Sequence, residues 1–421
     1  MNYQTPRGTY DILPGETEKW QAAEEMIREV CRLYRYREIR TPIFEQTSVF
    51  KRENDSSDMV NKEMYTFAMG DDSYTLRPEG TAGVIRSFDQ HKMYGGAELP
   101  SRLYYLGPMF RHERPQKGRQ RQFTQFGIES IGAKSPEIDA EAIALGTDIV
   151  KRMGISSVRV CINTLGDDES RANYRTALKE YFTPHIDSLC SDCRRRLEQN
   201  PLRILDCKVD AENPVLKNAP RLSDYLNEES RNYFERVLKA LDALGIEYEI
   251  DDRLVRGLDY YTHTVFEVKS TRPDSGAQAT IFAGGRYDHL VEYFGGPELS
   301  GMGFAIGLER LIALAEEEGW NGAPETDAEV YIMAAGEVGA APLAMASALR
   351  NEGIVCDVNL LPRSMKSQFK SADRSNAKVI VIAGEQELAQ GRVNVKNKAD
   401  NSQITIPVET LAETVKGMLQ Q

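Results

Sequence analysis

The stretch RLYYLGPMFRHERPQKGRQRQFTQFGIESIG, residues 102 to 132, alternates in two parallel patterns. Even positions are apolar in both halves, with Tyr104, Leu106, Pro108 and Phe110 in the first and Phe126 and Ile128 in the second. That is the period of a strand with one packed face. The odd positions hold Arg111 and Glu113, then Arg121, Phe123, Gln125, Gly127 and Glu129. The turn-prone RPQKGRQ joins the halves, so the spacing predicts a β-hairpin with a packed face and a chemically equipped one. A solvated outer face accounts for the arginines, but it leaves Phe123 and Gly127 unexplained. The equipped face therefore reads as the floor of a ligand site.

The composition of the rest of the chain sharpens this reading. In 421 residues, 52 Lys+Arg are outnumbered by 64 Asp+Glu, for a formal net charge of -12. Generic nucleic-acid affinity shows as a basic domain, and this chain is acidic. Yet Arg111, Arg114, Lys117, Arg119 and Arg121 crowd one short segment, so the anion they meet is a local one. The length suits two or three domains. No apolar run reaches the roughly 18 residues that span a bilayer, and MNYQTPRGTYDILPGE has no apolar signal segment. A soluble, cytoplasmic protein with no membrane partner is expected. The six cysteines are too sparse for a disulfide framework. Cys190, Cys193 and Cys207, with His185, have the ingredients of a zinc site, but they lack the second close-spaced pair that makes such a pattern specific. No metal held by protein cysteines is expected.

Upstream, Trp20, Ala23, Ile27, Val30, Cys31 and Tyr34 recur at helical spacing over residues 16 to 34. The following REIRTPIFEQ reads as a strand through Ile39, Ile43 and Phe44, with Pro42 at an edge or bend. Such an edge is either a subunit contact or a proline that merely ends pairing. Downstream, 136 to 153 reads as a helix and 155 to 165 as a strand. The segment from LGDDESRANYRTALKEYF to about residue 225 is polar, helical and cysteine-bearing, an inserted module. Strand patterns resume in LDYYTHTVFEVKS and ATIFAGGRYDHLV, and SGMGFAIGLERLIALAEEEG passes from a small-residue strand into a helix. EEEGWNGAPETDAE has linker composition. Beyond it, EVYIMAAG, PLAMASALRNEG, VCDVNLL, KVIVIAG and LAETVKGMLQ alternate strand and helix as a small α/β domain does. EVYIMAAGEVG lacks G-x-G-x-x-G, which argues against a dinucleotide site there.

Three separated blocks, the first helix with REIRTPIFE, FRHE with its loop and returning strand, and GMGFAIGLERL, resemble the three motifs of the class II aminoacyl-tRNA synthetase family. LVRGLDYYTHTVFEV and FAGGRYDHLV resemble segments peculiar to its histidine-specific branch. The resemblance runs through nearly the whole chain in order. It implies an α+β catalytic domain at 1 to 325, built on a mixed, mainly antiparallel sheet and interrupted by the helical insertion at about 168 to 225. A small α/β anticodon-binding domain at 328 to 421 follows. It also implies activation of histidine with ATP, transfer to histidine tRNA, Mg2+ with the triphosphate, and a homodimer.

The site residues follow from the resemblance, position by position. Arg111 and Arg256 would flank the reacting α-phosphate as catalytic residues. Glu113 and Phe123 would hold adenine, with Arg119 and Arg310 toward the γ-phosphate. Glu79, Thr81, Gln125, Glu129, Tyr260, Tyr261 and Tyr287 would form the histidine pocket together with Arg256. Arg114, Gln116 and Lys117 would read the tRNA acceptor end. Arg363, Lys366, Lys370 and Arg374, at spacings three, four and four, would share a helix face toward phosphate, although the spacing alone suits a solvated stripe equally well. The nearest rivals are the synthetase-like regulatory subunit of ATP phosphoribosyltransferase, which lacks the last domain, and a protein that only binds tRNA.

Overall fold

The computed structural model describes residues 3–51, 59–95, 98–115, 118–207, 209–255, 260–273, 279–322 and 327–420. The chain divides into two units, Met1–Ala323 and Pro324–Gln421. Among the described residues no helix is long and apolar enough to cross a membrane.

In the first unit, helix α1 (Thr17–Leu33) leads to strands β1 (Arg37–Glu38), β2 (Phe44–Gln46), β3 (Tyr65–Met69) and β4 (Asp72–Leu76), then to helix α2 (Thr81–Gln90). The hairpin β5 (Ser101–Phe110) and β6 (Gln122–Ile131), helix α3 (Pro136–Arg152) and strand β7 (Val158–Thr164) follow. After the inserted helices α4 (Asp168–Phe182), α5 (Ser191–Gln199) and α6 (Pro214–Lys217) come α7 (Glu228–Ala243), β8 (Tyr248–Ile250), β9 (Thr262–Ser270), β10 (Thr280–Tyr287), α8 (Leu290–Tyr293), β11 (Gly301–Gly307) and α9 (Leu308–Glu317).

Eight of these strands form one sheet in the order β1-β5-β6-β11-β10-β9-β7-β8. Only its two outermost pairings, β1 with β5 and β7 with β8, are parallel. The expected hairpin forms as a ten-rung antiparallel ladder from Ser101↔Ile131 to Phe110↔Gln122. The strand expected across Ile39, Ile43 and Phe44 is divided. β1 ends at Glu38, although the Ile39 amide still bonds the Tyr104 carbonyl, and β2 begins at Phe44 in a separate sheet of order β2-β4-β3. Pro42 stands between them, where it can donate to neither ladder.

One sheet face is covered by α1, α3, α7 and α9. Ile27, Ile143, Val237 and Leu311 pack there on Tyr104, Phe126, Ile128, Phe266 and Phe304. The opposite face is covered at one end by Val84, Ile85 and Phe88 of α2 against Leu103, Tyr105 and Met109, and at the other by Tyr174, Leu178 and Leu222 in one cluster with Cys161 and Val265. The middle of that face stays open, and the cleft lies there. Asp139 of α3 and Arg286 of β10 lock the covered face with a fully buried ion pair, Nε to Oδ1 3.0 Å. Tyr233 and Thr264 hydroxyls also donate to Asp139, so neither charge is left unpaired.

The segment between β7 and α7 has a core of Tyr174, Leu178, Phe182, Leu197, Leu202, Ile204 and Leu216, which it shares with Cys161 and Val265 of the sheet. Its ends are tied together by helix caps. Asp167 accepts from the Ser170 amide and Asn227 from the Ser230 amide, each at 2.9 Å, and Asn227 Nδ2 donates to Asp167 at 2.7 Å. Each cap is worth about 1 kcal/mol.

In the second unit, β12 (Val330–Ala335), α10 (Ala341–Asn351), β13 (Cys356–Val358), α11 (Met365–Arg374), β14 (Val379–Gly384), α12 (Glu385–Leu388), β15 (Arg392–Asn397), β16 (Gln403–Pro407) and α13 (Leu411–Leu419) build a sheet of order β13-β12-β14-β15-β16. The first three strands are parallel and the last two antiparallel. Lys366, Lys370 and Arg374 lie exposed on α11. Arg363 precedes the helix cap Ser364, yet its guanidinium reaches Ser371 at 3.1 Å, beside that of Arg374 at 3.3 Å.

Candidate active site

The open middle of the large sheet holds a cleft of about 300 Å³. Glu79, Thr81, Arg111, Glu113, Arg119, Phe123, Gln125, Glu129, Tyr260, Tyr261, Tyr287 and Arg310 all line it. Arg256, Gln116 and Lys117 lie outside the described residues, and Arg114 is exposed on the loop beyond the cleft lining. Arg121, although it shares the parity of Phe123, turns away. It precedes β6, its side chain lies over Gly8, and its Nε donates to the Glu113 carbonyl.

One half of the cleft is cationic. Arg111 is anchored by Nε to the Pro78 carbonyl at 2.8 Å, and its guanidinium carbon sits 5.3 Å from the centre of the Phe123 ring. Arg119 pairs with Glu113 at 2.9 Å. Arg310, in the first turn of α9, is fixed by the Gly118 and Thr280 carbonyls. Burial and then repulsion from Arg119 push its pKa down, which marks a cation placed for an anion rather than for its neighbours.

The other half is an acid sunk among phenols. Glu129 is 1% exposed. It accepts from the Thr81 and Tyr287 hydroxyls, each at 2.6 Å. Burial outweighs these bonds and pushes its carboxyl up to about 8. Space for it comes from β11, since a Cβ on Gly303 would stand 2.1 Å from Glu129 Oε2 and 2.4 Å from the Ile128 carbonyl. Tyr260 packs against Tyr261 and edge-on to Tyr287, with centroids 4.7 and 5.8 Å apart. Glu79 caps α2, with one oxygen on the Thr81 amide at 2.6 Å and the other on the Ala82 amide at 2.9 Å.

Several lining residues escaped the sequence reading, Tyr105, Glu267 and Glu309 among them. Tyr105 stands directly across from Gly127 in the hairpin, and its hydroxyl reaches Gln125 at 3.4 Å. Its odd position and the glycine gap opposite were the available signals. Glu267 of β9 and Glu309 of α9 also face the cleft. Glu309 accepts from the Thr124 amide at 2.7 Å, its second oxygen is buried without a partner, and burial pushes its carboxyl up to about 7. His112 is exposed and sits edge-on to Tyr65.

The chain matches known proteins along its length. Residues 8–311 match the family model for histidyl-tRNA synthetase, and residues 329–418 that for an anticodon binding domain. The histidine–tRNA ligase of Lysinibacillus sphaericus is 50% identical over 424 residues, covering all of both chains. That of Bacillus subtilis is 49% identical over 419 residues, covering 99% of each. The apo S. aureus histidyl-tRNA synthetase crystal structure superposes with TM-score 0.84 at 43% identity, covering 99% of this chain and 100% of that one. The fold is thus that of a class II aminoacyl-tRNA synthetase. Within that class, the chain belongs to the histidyl-tRNA synthetase family.

Proposed function

We propose that the cleft seats ATP in its cationic half and histidine in its acid-phenol half, and joins them there. The activity is that of an ATP-dependent histidine–tRNA ligase: histidine is activated to its adenylate with release of pyrophosphate, then transferred to the 3′ end of histidine tRNA. The observation that carries the assignment of residues is the meeting, in one cleft, of Arg111, Arg119 and Arg310 with the buried group Glu129, Tyr287 and Thr81.

The attacking carboxylate is already ionised, so the first step needs alignment and charge stabilisation rather than a general base. Arg111, fixed on Pro78, neutralises the α-phosphate as it becomes pentavalent, and Arg256 does so from the other side. Phe123 and Glu113 hold adenine, while Arg119 and Arg310 take the γ-phosphate. Glu79 and Thr81 receive the ammonium of histidine and Gln125 lies by its carboxylate. Thr81 spends its proton on Glu129, so its oxygen is left to accept. Glu129 and Tyr261 meet the imidazole nitrogens between the walls made by Tyr260 and Tyr287. A pocket built on such buried polar pairs rejects amino acids that leave them unpaired.

Mg2+ fits the triphosphate end. The unpartnered buried oxygen of Glu309 is a hard ligand, and Glu309 with Glu267 would hold the ion. The ion supplies the positive charge that the arginines leave wanting. Arg114, Gln116 and Lys117 contact the tRNA acceptor end, and the basic face of α11 contacts phosphate near the anticodon. The enzyme acts in the cytoplasm as a homodimer.

Arg111→Ala tests the assignment. It should lower the rate of histidine-dependent pyrophosphate exchange into ATP about 100- to 1000-fold, the cost of one oriented charge-stabilising donor, while the KM for histidine moves little. Exchange at the unaltered rate would refute the role.

A further inference from the structure

The inserted segment gathers four metal-binding side chains far along the sequence from the catalytic motifs. Cys190, Cys193, Cys207 and Asp210 place their ligand atoms all within 4.8 Å of one another, and Cys193 and Cys207 are buried. Cys190 caps α5 and Cys193 lies in its first turn, so both sulfurs stand at the positive end of that helix. Cys207 and Asp210 arrive from the segment after the short turn Pro201–Ile204. Cys190 Sγ lies 3.6 Å from Cys207 Sγ, and Cys207 Sγ lies 3.5 Å from Asp210 Oδ2. Ligands about 2.3 Å from a tetrahedral zinc ion stand roughly 3.7 Å apart, so these separations are already tetrahedron edges. Neighbouring backbone orients the set: the Cys190 amide donates to Asp210 Oδ2 at 2.9 Å, and the Asp210 amide points at Cys207 Sγ at 3.5 Å.

We propose that Cys190, Cys193, Cys207 and Asp210 form a structural zinc site that staples α5 to the chain carrying Cys207 and Asp210. The fourth ligand is Asp210, not the His185 that the sequence suggested. His185 is exposed and packs on Tyr181 with ring centres 5.5 Å apart. The need for a staple is physical. The segment carrying the four residues has only short helices and turns, which a metal crosslink would hold together. All four protein ligands close the coordination sphere, so the ion has no open position for catalysis.

The test is metal analysis of the full-length protein, purified reduced and without chelator, followed by replacement of the metal with Co2+. One zinc per chain is expected, together with the visible bands of tetrahedral Co2+ and a thiolate-to-cobalt charge-transfer band. Cys193→Ser should abolish stoichiometric metal, while Cys356→Ser, in the other unit, should leave it unchanged. Should Cys193→Ser fail to fold, Co2+ titration of the stripped wild-type protein decides alone. Failure of the reduced wild-type protein to take up zinc or Co2+ would overturn the proposal. So would a Co2+ spectrum without thiolate charge transfer, or a Cys190–Cys207 disulfide in the fresh protein.

Discussion

Glu129 shows how much of a binding site can depend on the solvation of one carboxyl. Burial pushes it from an ordinary 4.5 to about 8 against the hydrogen bonds of Thr81 and Tyr287. The ligand-free fold therefore keeps a proton here that the unfolded chain gives up near 4.5. Its contribution to stability is complete below that pH and is lost as pH rises through about 8. Glu129→Gln, which carries no titrating proton, should flatten that part of the stability curve of the ligand-free enzyme, by a few kcal/mol on the order set by pKa linkage. Urea melts at several pH values check it; parallel curves for the two proteins would contradict it. The same substitution replaces the carboxyl that meets imidazole and should lower kcat/KM for histidine about 10-fold, the worth of a hydrogen bond. The parity of the strand exposed Gln125 and Glu129 in the sequence, because alternation needs no partner. Tyr105 was hidden because a Tyr-Tyr pair puts an aromatic ring on both faces, and only the pairing with Gly127 shows which ring enters the cleft.

At the scale of elements, the hairpin was legible end to end, whereas the region around Pro42 was not. A ten-rung ladder with a packed face writes a period of two into the sequence. A two-residue strand such as β1 is too short to write any period, and its partner is Tyr104, far along the chain. The cysteine cluster was obscured for a related reason, since Asp210 joins it through a fold and not through spacing. Helix α11 shows the limits of spacing as well. Its basic residues lie on one exposed side, but Arg363 joins them only by reaching back to Ser371. Lys366→Ala with Lys370→Ala should leave histidine-dependent pyrophosphate exchange unchanged and raise the KM for tRNA. The dependence of tRNA binding on log salt should become shallower by about 0.7 to 0.9 for each phosphate no longer neutralised. An unaltered tRNA KM would return α11 to the role of a solvated face.

For the whole molecule, the proposed homodimer has a candidate contact in an exposed aromatic surface. Phe44, Phe67 and Tyr74 cluster on the three-stranded sheet, with centroids 5.8 to 6.3 Å apart, and Phe44 remains 52% and Met69 67% exposed. Contiguous apolar surface of that kind marks an interface. Sedimentation should give a dimer for the native chain and a monomer for Phe44→Arg with Phe67→Arg. A variant that stays dimeric would place the interface elsewhere, and a monomeric native chain would remove it. The central claim, that one cleft selects histidine and couples it to ATP, is tested most directly by pyrophosphate exchange into ATP with the purified protein and each standard amino acid in turn, without tRNA. Exchange with histidine alone is the predicted result. Exchange with no amino acid, or equally well with one that cannot satisfy Glu129, would contradict it.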